Sequence, residues 1–217
     1  MSFGAIFDWD GVIIDSSAQH ERSWELLAEE LGKSLPEGHF KRGFGKKNER
    51  IIPDLGWATD ADEIHQIGLR KEEFYRQLVS RDGVTPLPGA RELLTVLQDA
   101  GIPCVVGSST HRANIETICE ITGLGGFFAG MVTGEDVSHG KPDPEVFRRG
   151  AEIIGIDPAR CIVFEDALVG LEAARAGGMK CVGVATTEPL AALEGKADLA
   201  VESLTILTLE QLSGLVG

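Results

Sequence analysis

The 217-residue chain carries 34 acidic against 20 basic residues, a formal net charge of −14, with 43% hydrophobic residues and a mean hydropathy of +0.02. That length buries a real core, either as one large domain or as a main domain with a smaller inserted one, and the composition excludes a disordered chain. No apolar run approaches the ~20 residues that cross a bilayer, and so acidic a protein does not suit a nucleic-acid backbone or an anionic membrane, which demand clustered Lys and Arg.

The chain opens "MSFGAIFDWD", without the basic flank, long apolar segment and small-residue cleavage site of a secretory leader, so a mature cytoplasmic protein is expected. The first predicted strand is "FGAIF" (3–7), and three carboxylates, Asp8, Asp10 and Asp15, crowd behind it. The segment 16–84 then reads as helix after helix. Trp24, Leu27, Ala28 and Leu31 recur at helical spacing before Gly32, and a later helix covers about 60–79. A small helical domain inserted at 16–84 is therefore expected, with the main domain formed by 1–15 and 85–217 and hinges near 14–17 and 82–87.

From there strands and helices alternate. A helix after "PLPG" carries Leu93, Leu94 and Leu97 on one stripe and ends at Gly101. Strands "PCVVG" (103–107), "GMVTG" (130–134), "CIVF" (161–164) and "KCVGVA" (180–185) are separated by helices at about 111–122, 144–154 and 167–176. Short β-branched runs alternating with amphipathic helices predict an α/β fold, a doubly wound parallel sheet covered on both faces. Cys104, Cys119, Cys161 and Cys181 are far apart and lie mostly in or beside apolar runs, so buried reduced thiols are expected rather than disulfides or a zinc site.

In open parallel sheets ligands bind beyond the carboxyl ends of the strands, and four polar clusters fall there. Asp8 and Asp10 follow the first strand, Ser108, Ser109 and Thr110 the second, Lys141 lies in the loop after the third, and Glu165 and Asp166 follow the fourth. Four carboxylates in one patch repel strongly unless a cation sits among them, and oxygen ligands without Cys or His suit a hard ion, Mg²⁺ before Ca²⁺ or Mn²⁺. Magnesium shares its shell with phosphate oxygens, so Lys141 and the Ser108 hydroxyl would complete a phosphate site in which a carboxylate attacks phosphorus. A calcium loop counted from Asp8 fails, because its fifth and twelfth positions are Val12 and Gln19. "GFGKKN" (43–48) lacks the G-K-[ST] of a nucleotide loop and no strand precedes it.

Together, "FDWDGVIID", "VVGSST", "GKPDPEVF" and "VFEDALVG" resemble the four ordered motifs of the haloacid dehalogenase-like (HAD) hydrolases, over essentially the whole chain. The helical insert makes the chain similar to the subgroup with a four-helix cap, which includes β-phosphoglucomutase and phosphoglycolate phosphatase. The resemblance implies a Rossmann-like core, Asp8 as nucleophile, Asp10 as general acid and then base, and Ser108 and Lys141 on the phosphoryl oxygens. It implies a Mg²⁺ site of Asp8, Asp10 (through its carbonyl), Glu165 and Asp166, with Asp15 a brace for the loop. Ser109, His20, Gly45, Lys46, Asn48, Lys71 and Arg112 fall where related proteins meet substrate. By default Lys46 and Lys71 are ordinary surface charges, and His20 is either a packed residue or a functional one.

The implied activity is a Mg²⁺-dependent phosphomonoesterase acting on a small phosphorylated metabolite, a sugar phosphate, as a monomer. A phosphosugar mutase is the alternative and an inactive binding protein a further one. Asn48 stands where the mutase has its phosphate-gripping arginine, and His111 and Arg112 where it has lysine and asparagine, which weakens the mutase assignment. A dehalogenase would not need Glu165 and Asp166. Trp9, between the two aspartates, is expected to pack beneath the cap hinge.

Overall fold

The computed structural model describes residues 3–43 and 46–217, and the chain divides into two compact units, one of 1–15 and 85–217, the other of 16–84.

The larger unit is an α/β fold built on six parallel strands in the order β3-β2-β1-β4-β5-β6. The strands are β1 (Gly4–Phe7), β2 (Cys104–Gly107), β3 (Phe128–Val132), β4 (Cys161–Glu165), β5 (Lys180–Val184) and β6 (Leu199–Val201). Every residue of β1, β2 and β4 is buried, as continuous apolar runs require when helices cover both faces of a parallel sheet. Phe7 pairs with Val106 on one side and Phe164 on the other, and the Phe7 and Phe164 rings stack at 4.4 Å. Behind them lie Ile6, Val105, Phe147, Val163 and Leu171. Strand order reverses at β1, since β2 follows it on one side and β4 lies on the other. The carboxyl end of β1 is therefore the switch point at which such sheets bind ligands.

The smaller unit has four helices among the described residues: α1 (Ser17–Leu31), α2 (His39–Gly43), α3 (Asn48–Asp54) and α4 (Ala61–Asp82). Asp60 caps α4 by accepting from the amides of Asp62 and Glu63. Trp24, Leu27, Ala28, Ile52, Trp57, Ala58 and Ile67 form its core. The remaining helices belong to the larger unit: α5 (Ala90–Asp99), α6 (Arg112–Thr122), α7 (Glu145–Ile154), α8 (Leu168–Ala176), α9 (Leu190–Leu193) and α10 (Leu209–Leu215). No described helix is long and apolar enough to cross a membrane.

Several elements differ from the sequence expectation. Strand β3 lies two residues earlier than 130–134, because the backbone amide and hydroxyl of Thr133 both donate to Asp136 Oδ2 at 2.7 Å and turn the chain out of the sheet. Helix α4 runs to Asp82 rather than about 79. Strand β6 and the last helix, α10, which a capping box between Thr208 and Gln211 starts, were not anticipated. The four cysteines are free thiols, three of them buried, and burial pushes the Cys104 thiol up to about 12.

Candidate active site

Parallel pairing of β1 with β4 carries the backbone past their last residues, and the Asp8 amide donates to the Phe164 carbonyl at 2.9 Å. Asp8 and the pair Glu165 and Asp166 are thereby neighbours although some 157 positions apart in sequence. One carboxylate oxygen from each of Asp8, Glu165 and Asp166 lies within 4.8 Å of the others. Into this cluster reaches Lys141, its Nζ 3.1 Å from Asp8 Oδ1 and 2.5 Å from Glu165 Oε1. The ammonium is almost wholly buried (7% exposed), so its charge acts in a medium of low polarity.

The two fourth-motif acids differ in what they have left to offer. Glu165 is committed: Oε1 accepts from Lys141, and Oε2 accepts from the amides of Asp166 and Ala167 at 2.8 and 2.7 Å. Asp166 Oδ2 is buried with no hydrogen-bond partner, and Asp8 Oδ1 has none of hydrogen-bond geometry. A buried acceptor without a donor is costly. Asp166 Oδ2 is such an oxygen, and with one carboxylate oxygen from each of Asp8, Glu165 and Asp166 within 4.8 Å of the others, a donor set of oxygen alone fits a hard divalent cation. Glu165 belongs to the same cluster and also accepts from Lys141.

Two glycines make the cluster sterically possible. Gly11 has φ +80°, a conformation that favours glycine, and a Cβ there would run into the Asp166 carboxylate. A Cβ on Gly170, in the first turn of α8, would run into Glu165 Oε1. Both lie inside the first and fourth motifs, where the sequence showed them without a reason.

Burial is the largest influence on both open carboxyls. It pushes Asp166 up to about 8, aided by the Glu165 and Asp8 charges. It raises Asp8 to about 7 against the opposing pull of Lys141. Burial alone would lower Lys141, but the Asp8 and Glu165 carboxylates more than offset it and hold the ammonium above its usual range.

The second strand supplies the other wall. Ser108 is buried, its amide donating to the Val132 carbonyl at 3.0 Å and its Oγ accepting from the Thr110 amide at 3.2 Å. The Thr110 hydroxyl donates to Asp10 Oδ2 at 2.5 Å, which ties Asp10 to this loop. Ser109 is half-buried beside them. Arg112 is engaged elsewhere, donating to Asp136 Oδ2 at 2.6 Å and to the Met131 carbonyl at 3.4 Å. His111 Nδ1 lies 3.3 Å from Glu135 Oε1. Trp9 is fully buried and edge-on to Phe128 of β3 at 6.0 Å. Asp15 is exposed.

The helical unit carries a polar cluster of its own. Lys71 Nζ is 2.7 Å from His20 Nδ1 and 3.1 Å from Glu72 Oε1, and Asn48 Nδ2 donates to the same Glu72 oxygen at 2.7 Å. An ammonium has only protons to give, so a neutral His20 accepts at Nδ1 and keeps its proton on Nε2. The His20 ring stacks on Tyr75 at 4.0 Å. Lys71 is 3% exposed, which corrects its default reading as a surface charge: its partners come from α1 and from the next residue of α4. Glu72, the acceptor that joins Lys71 to Asn48, was not foreseen, and its adjacency to Lys71 was the only signal. Lys46 is exposed and 3.4 Å from Asp54. Gly45 lies outside the described residues.

The haloacid dehalogenase-like hydrolase family model matches residues 4–178. The chain belongs to that family. It is similar to the 5-amino-6-(5-phospho-D-ribitylamino)uracil phosphatase, chloroplastic, of Arabidopsis thaliana, with 39% identity over 97% of the chain, which spans 57% of that protein's length. It is 33% identical to the fructose-1-phosphate phosphatase YqaB of Escherichia coli, over 83% of the chain and 95% of that protein. A solved structure of β-phosphoglucomutase from Clostridium difficile superposes with a TM-score of 0.85 at 26% identity, covering 100% of this chain and 97% of the other. The fold is the Rossmann-like core of HAD enzymes with an inserted helical cap, and the protein is an enzyme of the HAD-like phosphatase type, with phosphoglucomutase chemistry the alternative within the family.

Proposed function

We propose that the protein is a Mg²⁺-dependent phosphomonoesterase of the cytosol, hydrolysing a small sugar phosphate or related metabolite through an aspartyl phosphate. The observation that carries this reading is the convergence of Asp8, Lys141 and the open oxygen of Asp166 at the end of β1. Asp8 and Asp166 would hold the ion directly, with the Asp10 carbonyl as the family resemblance implies. Bound there, Mg²⁺ would offset the charge that the carboxylates and the phosphoryl oxygens bring together. Burial raises the Asp8 carboxyl despite Lys141, and an ionised nucleophile at neutral pH therefore calls for a countercharge beyond the lysine.

In the proposed reaction an Asp8 oxygen forms a bond to phosphorus while the bond to the ester oxygen breaks. The electron pair goes to that oxygen, which takes a proton from Asp10. Asp10 then accepts a proton from water as the water oxygen bonds to phosphorus and the bond to Asp8 breaks, releasing phosphate and restoring both side chains. Lys141 and the Ser108 hydroxyl hold the phosphoryl oxygens, and Ser109 lies beside them. Of the helical unit's residues, His20, Asn48 and Lys71 are proposed to select the non-phosphoryl part of the substrate.

A mutase is the second reading, favoured by the likeness to β-phosphoglucomutase. The commitment of Arg112 to Asp136, and an uncharged Asn48 where the mutase has its arginine, disfavour it, because a mutase must grip a second phosphate. The test is a phosphate-release screen with Mg²⁺ that includes fructose 1-phosphate, 5-amino-6-(5-phospho-D-ribitylamino)uracil and β-glucose 1-phosphate with a bisphosphate primer. Free phosphate released by the wild type and lost in Asp8→Asn supports the phosphatase; isomerised product without free phosphate replaces it with the mutase.

A further inference from the structure

We propose that Thr110 is a positioning residue for Asp10, fixing the rotation of its carboxyl so that it meets the leaving-group oxygen. This rests on the reading of Asp10 as the proton donor. The two residues are 100 positions apart, yet the Thr110 hydroxyl donates to Asp10 Oδ2 at 2.5 Å.

Thr110 is itself held. Its amide donates to Ser108 Oγ at 3.2 Å, and its carbonyl accepts from the Gly134 amide at 3.4 Å. A Cβ on Gly134 would strike the Ser109 carbonyl, so the loop after β3 packs backbone to backbone against this turn. One end of the Asp10 contact is therefore rigid. A β-branched side chain adds stiffness at χ1.

A carboxyl on its own turns freely about Cβ–Cγ. A hydrogen bond to one of its oxygens from a donor that is itself held narrows that freedom. The Asp10 contact thus links the first and second motifs and sets the orientation of the group that must reach the ester oxygen. Orientation errors in a proton-transfer group cost up to about 10²-fold in rate.

The experiment compares kcat/KM for phenyl phosphate, a poor leaving group that needs the proton, with p-nitrophenyl phosphate, a good one that does not. The variants are Thr110→Val, Thr110→Ser and Asp10→Asn, with Mg²⁺ present, and Thr110→Ala stands in should the valine variant fail to fold. Thr110→Val is expected to shift the ratio of the two kcat/KM values toward p-nitrophenyl phosphate by about 10-fold or more. Asp10→Asn shifts it the same way and further, and Thr110→Ser, which keeps the hydroxyl, restores the wild-type ratio. A ratio unmoved in Thr110→Val or Thr110→Ala while Asp10→Asn moves it overturns the role of Thr110 alone, as does a serine variant that fails to restore it. A ratio unmoved in Asp10→Asn overturns Asp10 as the acid and Thr110 with it. Absence of turnover of either ester by the wild type overturns the phosphatase reading beneath both.

Discussion

At the scale of single residues, Asp8 and Lys141 show how the site trades stability against chemistry. Asp8 is a carboxylate that burial disfavours and Lys141 only partly rescues. Asp8→Asn should abolish turnover, by on the order of 10⁴-fold or more for loss of a nucleophile. It should also raise the melting temperature of the metal-free protein at pH 8, because it removes a carboxylate that burial destabilises more than Lys141 stabilises it, while Lys141 keeps Glu165 as its partner. Turnover assays and thermal unfolding in EDTA check the two halves, and a variant that keeps its turnover excludes Asp8 as nucleophile. Lys141→Met should act in the opposite sense. It strips the cation from between two carboxylates at 3.1 and 2.5 Å, and loss of one partner of a buried pair costs roughly 3–5 kcal/mol. Urea unfolding at pH 8 reads that loss, and adding Glu165→Gln to it should recover part of the stability by removing one of the stranded charges.

At the scale of elements, the start of α8 positions the fourth motif, and Gly170 is its tightest point. Gly170→Ala would push a methyl into Glu165 Oε1, displacing the carboxylate that holds Lys141. Since Glu165 supports the ion's surroundings rather than offering an open oxygen, Mg²⁺ affinity should fall by about 10–100-fold, with helicity unchanged. Calorimetric titration of Mg²⁺ beside circular dichroism tests this, and unaltered affinity would show that Glu165 tolerates displacement. Such details were beyond the sequence, whereas the strands were largely within it. Strands β1, β2 and β4 are buried on both faces and read as unbroken apolar runs ending in polar clusters, so the positions of Asp8, Ser108 and Glu165 were legible. Strand β3 lies at the sheet edge, half-exposed, and its limits depend on Asp136 accepting from Thr133. Strand β6 has three residues, too few to show a period. Lys71 reads as a surface charge until His20, 51 positions away, is brought to it, and the contact of Thr110 with Asp10 spans 100 positions. What sequence pattern cannot hold is a polar contact between distant residues that carries no periodicity.

At the scale of the whole molecule, the carboxylate cluster makes stability depend on pH in a direction that metal should reverse. Burial raises the Asp8 and Asp166 carboxyls from the usual carboxylate range to about 7 and about 8. Between those limits the folded metal-free protein binds more protons at these sites than the unfolded chain does. Stability from this source is therefore fully present below pH ~4 and is lost as pH rises toward 8. Lys141, held above its usual range, keeps its stabilising charge throughout that window and adds no slope to it. In EDTA the melting temperature should fall between pH 5.5 and 8. A loss of even ~2 kcal/mol corresponds to about 4–8 °C for a chain of this length. Saturating Mg²⁺ stabilises the ionised carboxylates, and a ligand at 100 times its dissociation constant contributes about 2.7 kcal/mol. The metal-bound protein should thus melt higher than the metal-free one by a margin that widens with pH, the reverse of the metal-free trend. Thermal unfolding across that range with and without Mg²⁺ decides the matter. Asp166→Asn should flatten both curves, since it removes a raised carboxyl and an open metal-facing oxygen in a single change. A Mg²⁺ margin independent of pH would mean that the ion is held by groups other than this cluster.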